Sequence, residues 1–246
     1  QSGAHKVYST PDQSFWCCVG SGFESHAKYA ESIYYRSGDR LFVNLFIPSQ
    51  LTWKEKGLVM TQHTDFPESE TTRLTIDEAP AAAITLSLRY PGWSGLPVVR
   101  VNGRKVKVSG APSSYIDIKR RWRKGDTVEV TYPMSIKLET TPDNPARGAL
   151  VYGPVVLAGN LGTESMQAPA PFSDPAVRND YYTYDYHIPA GLPTHLVLDK
   201  ANPGACIERT SRGLKFRTRS GVDVLPLYDA HRMRYVVYWD IDYSSY

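Results

Sequence analysis

The sequence predicts a mainly β protein, with two β-sandwich-like units preceded by one helix. Three observations carry that prediction. From Leu41 to Leu157 short stretches with strand patterning follow one another with no helical periodicity between them. Turn formers and aromatic side chains are abundant, at 18 Gly, 18 Pro and 17 Tyr, a balance that suits many short strands with half-buried faces. A Pro-rich break, Thr163–Asp180, divides this series from a shorter one near the C-terminus.

The helix comes first. Ser21 and Glu24 stand in the S-x-x-E spacing of a capping box, Phe23, Ala27, Ala30 and Tyr34 recur at helical spacing, and Gly38 supplies a stop. No other helix is predicted for its apolar stripe to pack on. Strands are then predicted at Leu41–Ile47, Leu58–Thr64, Thr71–Ile76 and Ile84–Arg89. Val98–Val101 and Lys105–Val108 flank Asn102-Gly103, the pair that tolerates the positive φ angles of a type I′ hairpin turn. Tyr115–Ile118, Thr127–Tyr132, Ile136–Thr140 and Ala149–Leu157 complete an antiparallel sandwich. Beyond the break, Thr194–Leu198, Gly213–Arg219, Val222–Tyr228 and Arg234–Tyr243 form the second unit. The expected domains are 1–38 (thiol loop and helix), 39–162 (β-sandwich), 163–180 (linker or long loop) and 181–246 (second, smaller β domain).

Bulk properties exclude several functions. With 41% apolar and 22% charged residues over 246 positions, the chain can bury a sizeable core and is not of disordered composition. Lys and Arg total 28 against 25 Asp and Glu, an excess too small to predict a nucleic-acid partner. No apolar run approaches the roughly 20 residues of a membrane span, so no membrane partner is expected. The chain opens on Gln1, which reads as a mature or trimmed product. Three cysteines, Cys17, Cys18 and Cys206, do not make a disulfide framework, because adjacent cysteines bridge only with strain. Reduced thiols, a metal site or a reactive sulfur remain open.

Phe15-Trp16-Cys17-Cys18-Val19-Gly20-Ser21-Gly22 is the segment richest in potential chemistry. It sets two thiols in a Gly-rich turn just ahead of a helix, where the positive end of the helix favours thiolate. Two soft donors also suit zinc, although a tetrahedral ion needs two more that local spacing does not supply. Two small buried side chains are the plainer alternative. His26 is a candidate substrate contact, with a structural or surface imidazole as its alternative, and Glu24 is accounted for by the capping box. Lys119, Arg120, Arg121, Arg123 and Lys124 surround Trp122 as a basic cluster that could hold an acidic polysaccharide, or simply as a solvated strand end. Lys215, Arg217 and Arg219 share a strand face and read as edge-strand charge. Asp240 and Asp242 share another without a visible cleft. Trp53, Trp93, Tyr181, Tyr182, Tyr184 and Tyr186 could stack on sugars, and core or interface packing is the commoner fate of such rings.

The segment from Phe15 through Tyr29 and the stretch Leu41-Phe42-Val43-Asn44-Leu45-Phe46-Ile47-Pro48-Ser49 closely resemble the end of the catalytic barrel in the β-L-arabinofuranosidase glycoside hydrolases, families 127 and 146. The resemblance continues through Tyr90-Pro91-Gly92-Trp93, Val101-Asn102-Gly103, Trp122 to Asp126 and Ala149 to Pro154. It reaches Pro226-Leu227-Tyr228 and Arg234 to Trp239, with the Bacteroides-type family 146 the nearer branch. The resemblance implies an (α/α)6 barrel followed by β-sandwich domains, and retaining hydrolysis of terminal β-L-arabinofuranosides of plant glycans. It implies Cys17 as the nucleophile, Cys17 and Cys18 as zinc ligands, and zinc as the cofactor. The acid/base glutamate and the other two zinc ligands, a glutamate and a cysteine, would come from barrel segments ahead of Gln1. The expectation is a C-terminal fragment, inactive alone, whose helix is left over from that barrel. Its expected partners are the missing barrel and an arabinose-containing polysaccharide or oligosaccharide. Relatives of this kind are commonly exported, so a periplasmic or secreted location is expected. A non-catalytic sandwich that packs on the barrel or binds carbohydrate is the alternative, and a redox or metal-sensing thiol protein a third.

Overall fold

In the computed structural model, which describes residues 17–164, 191–199, 202–210 and 213–243, helix α1 (Cys17–Lys28) leads through a 3-10 turn at Tyr29–Ser32 into strands. The chain is already helical at Cys17, ahead of the start that the Ser21–Glu24 capping box predicts, so both cysteines lie within the helix. Ser21 therefore sits inside the helix, and its hydroxyl donates back to the Cys17 carbonyl at 3.2 Å instead of capping an N–H. The predicted apolar stripe also fails. Phe23 is 77% exposed, and Tyr34 belongs to a strand, because Gly38 at φ 58° turns a hairpin there.

The first β unit is a sandwich of two sheets. One holds β1 (Tyr34–Ser37), β2 (Arg40–Val43), β6 (Ile84–Tyr90) and β9 (Ser114–Arg120) in the order β1-β2-β6-β9. The other holds β3 (Ser49–Trp53), β4 (Leu58–Thr64), β5 (Thr71–Glu78), β7 (Val98–Val101), β8 (Arg104–Val106) and β10 (Thr127–Thr131) in the order β3-β4-β5-β10-β7-β8. Alternation along the strands sends Leu41, Val43, Leu86 and Leu88 from one sheet and Met60, Ile76, Val99 and Val128 from the other into one core. Each such side chain removed from water contributes about 1.5–3 kcal/mol. The Asn102–Gly103 turn is as predicted, with φ 51° and 76°. Pairing is not wholly antiparallel, since β2 and β6 run parallel. The predicted strand Leu41–Ile47 stops at Val43, where the Asn44 and Leu45 amides turn to donate to the Ile33 carbonyl.

The second unit is a nine-stranded sheet folded around its own core. Its strands are β11 (Ile136–Thr141), β12 (Asn144–Tyr152), β13 (Val155–Asn160), β14 (His195–Leu198), β15 (Ile207–Arg209), β16 (Phe216–Thr218), β17 (Asp223–Pro226), β18 (Tyr235–Val236) and β19 (Tyr238–Tyr243). The hydrogen-bonded boundary between the units thus lies between β10 and β11 rather than near residue 162. β12 pairs with β19, and β13 with β17 and β18, so residues on either side of the Pro-rich break complete one sheet. The predicted single strand Ala149–Leu157 is a hairpin, folded at Gly153 with φ 55° so that Val151 faces Val156. Most of the predicted linker, and all four tyrosines of the 181–186 run, fall outside the described residues.

The β4–β5 loop joins the two units. Glu70 accepts the Met134 N–H at 2.8 Å and the Tyr152 hydroxyl at 3.2 Å, and Glu68 accepts the Tyr228 hydroxyl at 2.5 Å. Lys137 returns a bond to the Trp93 carbonyl at 2.9 Å.

Candidate functional site

Two thiols stand side by side at the start of α1. Cys17 and Cys18 are exposed and unbridged, with their sulfurs 3.9 Å apart. Two thiolates at ~2.3 Å from one tetrahedral ion would be separated by about 3.8 Å, so the pair fits half of a zinc site. Among the described residues no group of three His, Cys, Asp or Glu side chains converges on a metal position. The fold also separates the third cysteine: Cys206 is buried in the core of the second unit, and burial pushes its thiol pKa up.

Helix α1 is poorly equipped to stand alone. It spans 12 residues, includes Gly20 and Gly22, and exposes every side chain described. Each interior Gly costs about 1 kcal/mol relative to Ala, and isolated helices shorter than ~12–15 residues are marginal in water. His26 lies in its last turn, exposed, with its ring edge-on to Tyr29 at 5.7 Å. It lies eight residues, a little over two helical turns, beyond Cys18, in the turn where a cation favours the helix dipole. A shallow groove beside it is lined by Ser21, Glu24, Ser25, Lys28, Tyr29 and Ser32.

Other candidates have structural employment. Trp53 is buried in the sandwich core and offers no ring to a sugar, and the half-buried Trp93 packs against that core, stacked on Phe66 at 6.0 Å. Trp122 is buried too, donating its indole N–H to the Ile84 carbonyl. Asp240 pairs with Arg147 at 3.0 Å and Asp242 with His195 at 3.6 Å across neighbouring strands. Lys215, Arg217 and Arg219 do share an exposed face, but β16 lies between β15 and β17 and is not an edge strand. Arg217 is held by Asp223 at 2.7 Å.

A thiol-bearing helix followed by two β units defines a mainly β architecture. Residues 40–134 match the family model of the β-L-arabinofuranosidase GH127 middle domain, and residues 137–241 match a domain of unknown function. The match over residues 40–134 agrees with the family resemblance read from the sequence and draws no distinction between families 127 and 146. No curated protein matches it. Among solved structures, one described as a glycoside hydrolase is 19% identical at a TM-score of 0.67, over 93% of this chain and 40% of its own. A GH127 β-L-arabinofuranosidase from Geobacillus stearothermophilus T6 is 21% identical at 0.65, over 97% and 39%. A further GH127 β-arabinofuranosidase is 20% identical at 0.64, over 97% and 41%. These identities establish the shared fold, and the chain spans about two fifths of the length of each structure.

Proposed function

We propose that this chain is the C-terminal part of a zinc-dependent retaining β-L-arabinofuranosidase acting on terminal β-L-arabinofuranosides of plant glycans. The observation that carries the reading is the exposed Cys17–Cys18 pair, directly ahead of a GH127 middle domain that begins at residue 40. Cys17 is the nucleophile, and Cys17 and Cys18 together supply two of the four zinc ligands. Bound zinc supplies one thing, the stabilisation of sulfur as thiolate, the form that attacks.

The Cys17 sulfur forms a bond to the anomeric carbon as the bond from that carbon to the leaving oxygen breaks. A carboxylic acid outside the described residues gives the leaving oxygen its proton. Water, deprotonated by the resulting carboxylate, then displaces the sulfur, and two inversions give net retention. Within α1 no described side chain is buried, so the helix does not by itself shield the thiols from water. The 246-residue chain alone is therefore expected to be inactive.

Release of p-nitrophenol from p-nitrophenyl β-L-arabinofuranoside tests this, with zinc content measured on the same samples. The proteins to compare are this chain, a version extended upstream to the length of its structural relatives, and the extended version with Cys17→Ala. Activity only in the extended protein, lost with Cys17, supports the reading. Full activity after Cys17→Ala overturns it, and activity in the 246-residue chain overturns the account of the missing acid. The alternative, a non-catalytic module, draws support from two complete cores that need no thiol chemistry. Inactivity of the extended protein on this sugar would favour it.

A further inference from the structure

The fold concentrates positive charge at one end of the first sandwich. Residues 100–126 carry nine Lys and Arg against only Asp117 and Asp126, whereas the whole chain has a balance of +3. The β7–β8 turn and the β9–β10 loop meet there. Asn102 donates its side-chain amide to Asp126 at 2.8 Å and accepts the Thr127 N–H at 2.8 Å. Asp126 is buried and fully engaged, since it also accepts the Arg123 N–H at 2.9 Å and lies 3.8 Å from the Arg120 guanidinium. It braces the backbone of the basic loop, and its only ion pair is with Arg120.

Of the outer cations, only Arg123 feels the charge of Asp126. Arg104, Arg121, Arg123 and Lys124 are exposed, and among the described residues none forms an ion pair; Arg121 reaches only the Ala81 carbonyl, at 3.0 Å. Elsewhere Arg36 is matched by Glu55, Arg147 by Asp240 and Arg217 by Asp223, whereas Arg89, Arg209, Arg219 and Arg232 stand singly without an ion pair among the described residues, so what sets this end apart is the density of its cations. Like charges gathered without partners cost stability, so their clustering calls for an anion outside the chain. Three of the four are guanidiniums, whose planar fork matches a carboxylate with two parallel N–H bonds. No exposed aromatic ring belongs to this turn or loop, because Trp122 is buried beneath Arg120. Base stacking, the usual companion of charge in single-strand nucleic-acid binding, has no platform here.

We propose that the β7–β8 turn and the β9–β10 loop, braced on Asp126, form a surface that binds the carboxylates of an acidic, uronate-bearing polysaccharide. The choice of a polysaccharide rests on the glycoside-hydrolase reading, while carboxylate recognition does not. Affinity electrophoresis of the 246-residue chain, in gels containing polygalacturonate, neutral arabinan or duplex DNA, tests it. Retention by polygalacturonate alone is expected, weakening as salt is added. Replacing Arg121, Arg123 and Lys124 together by Ser should weaken it about tenfold or more, with the melting temperature unchanged. Replacing Lys54, Lys215 and Arg219 by Ser removes the same charge elsewhere and should leave retention within about twofold. Equal loss in both variants, equal binding of DNA, or no retention by polygalacturonate overturns the proposal. Failure of arabinofuranoside cleavage leaves these outcomes untouched, so the two readings fail separately.

Discussion

Helix α1 and the β units behind it are opposite solutions to being a protein segment. Every described side chain of α1 is exposed, and two glycines weaken it, yet it holds the adjacent thiols. In the sandwich, Val43, Leu58, Met60, Ile76 and Leu86 are wholly buried, and rings that could face a ligand are packed inward. The proposed chemistry and the observed packing therefore fall on different residues. The consequence is that substitutions in the two regions should be separable, one set changing activity without folding and the other folding first.

The largest effect expected is on catalysis. In the extended protein, Cys17→Ala should lower arabinofuranosidase activity at least ~10³-fold, equivalent to about 4 kcal/mol of lost barrier reduction. The same change in the 246-residue chain should leave unfolding free energy within about 0.5 kcal/mol, because no contact with the β units is lost. A thermal shift larger than that would show that α1 is anchored after all and would dissolve the contrast.

Trp239→Ala tests the other side of it. Trp239 is 0% exposed at the centre of the second core, and its ring lies so close over Gly159 that a Cβ there would stand 2.4 Å away. Truncation should cost about 3–5 kcal/mol by chemical denaturation, and Gly159→Ala, which forces the ring aside, about 1–3 kcal/mol. Since Glu68 and Glu70 tie the units together, loss of the second core should be felt in the first. Two well-separated unfolding transitions in Trp239→Ala would show instead that the loop does not couple them.

Asp126→Ala is next in size, at about 1–3 kcal/mol, because it leaves the Asn102 amide and the Arg123 N–H without their acceptor. Burial pushes the Asp126 pKa up, but the hydrogen bonds from Asn102 and Arg123 and the nearby guanidiniums outweigh it, leaving a net downward shift. A lowered folded-state pKa means that the unfolded chain binds the proton more readily. The contribution is therefore complete above the ordinary aspartate value of 3.8 and disappears as pH falls from there through the folded-state value. Denaturation of wild type and variant across that acid window should converge. A gap that stays constant below it would assign the loss to packing instead.

Strands were legible where contacts are local. Leu58–Thr64 and Val98–Val101 were read to the residue, because alternation and an Asn-Gly turn encode them within a few positions. The unit boundary was not legible, since β12 finds β19 some 90 residues downstream and no local pattern records that pairing. β3 was missed because Ser49–Trp53 mixes polar residues with a single buried ring on a sheet edge. The thiol pair is singled out by resemblance alone, and its place inside the helix was hidden by an S-x-x-E spacing that looks like a start. The hub at Asp126 was invisible for a different reason: its Asn102 partner lies in another hairpin, and only the fold brings them together.

The smallest effect sharpens the comparison most. Phe23 is 77% exposed in this chain, and Phe23→Ser removes an apolar ring that touches no core. In the 246-residue protein the change should move stability by no more than about 0.5 kcal/mol, and solubility should rise. In the extended protein the same ring has a helical barrel to pack on, if the thiol helix is part of one, and the cost should then reach about 2–4 kcal/mol. The difference between the two measurements isolates what the upstream segment contributes, since the local sequence is identical in both. Equal, negligible effects would leave α1 a solvent-exposed helix in either context, and the thiols would then lack the dry, shaped site that a cysteine nucleophile requires.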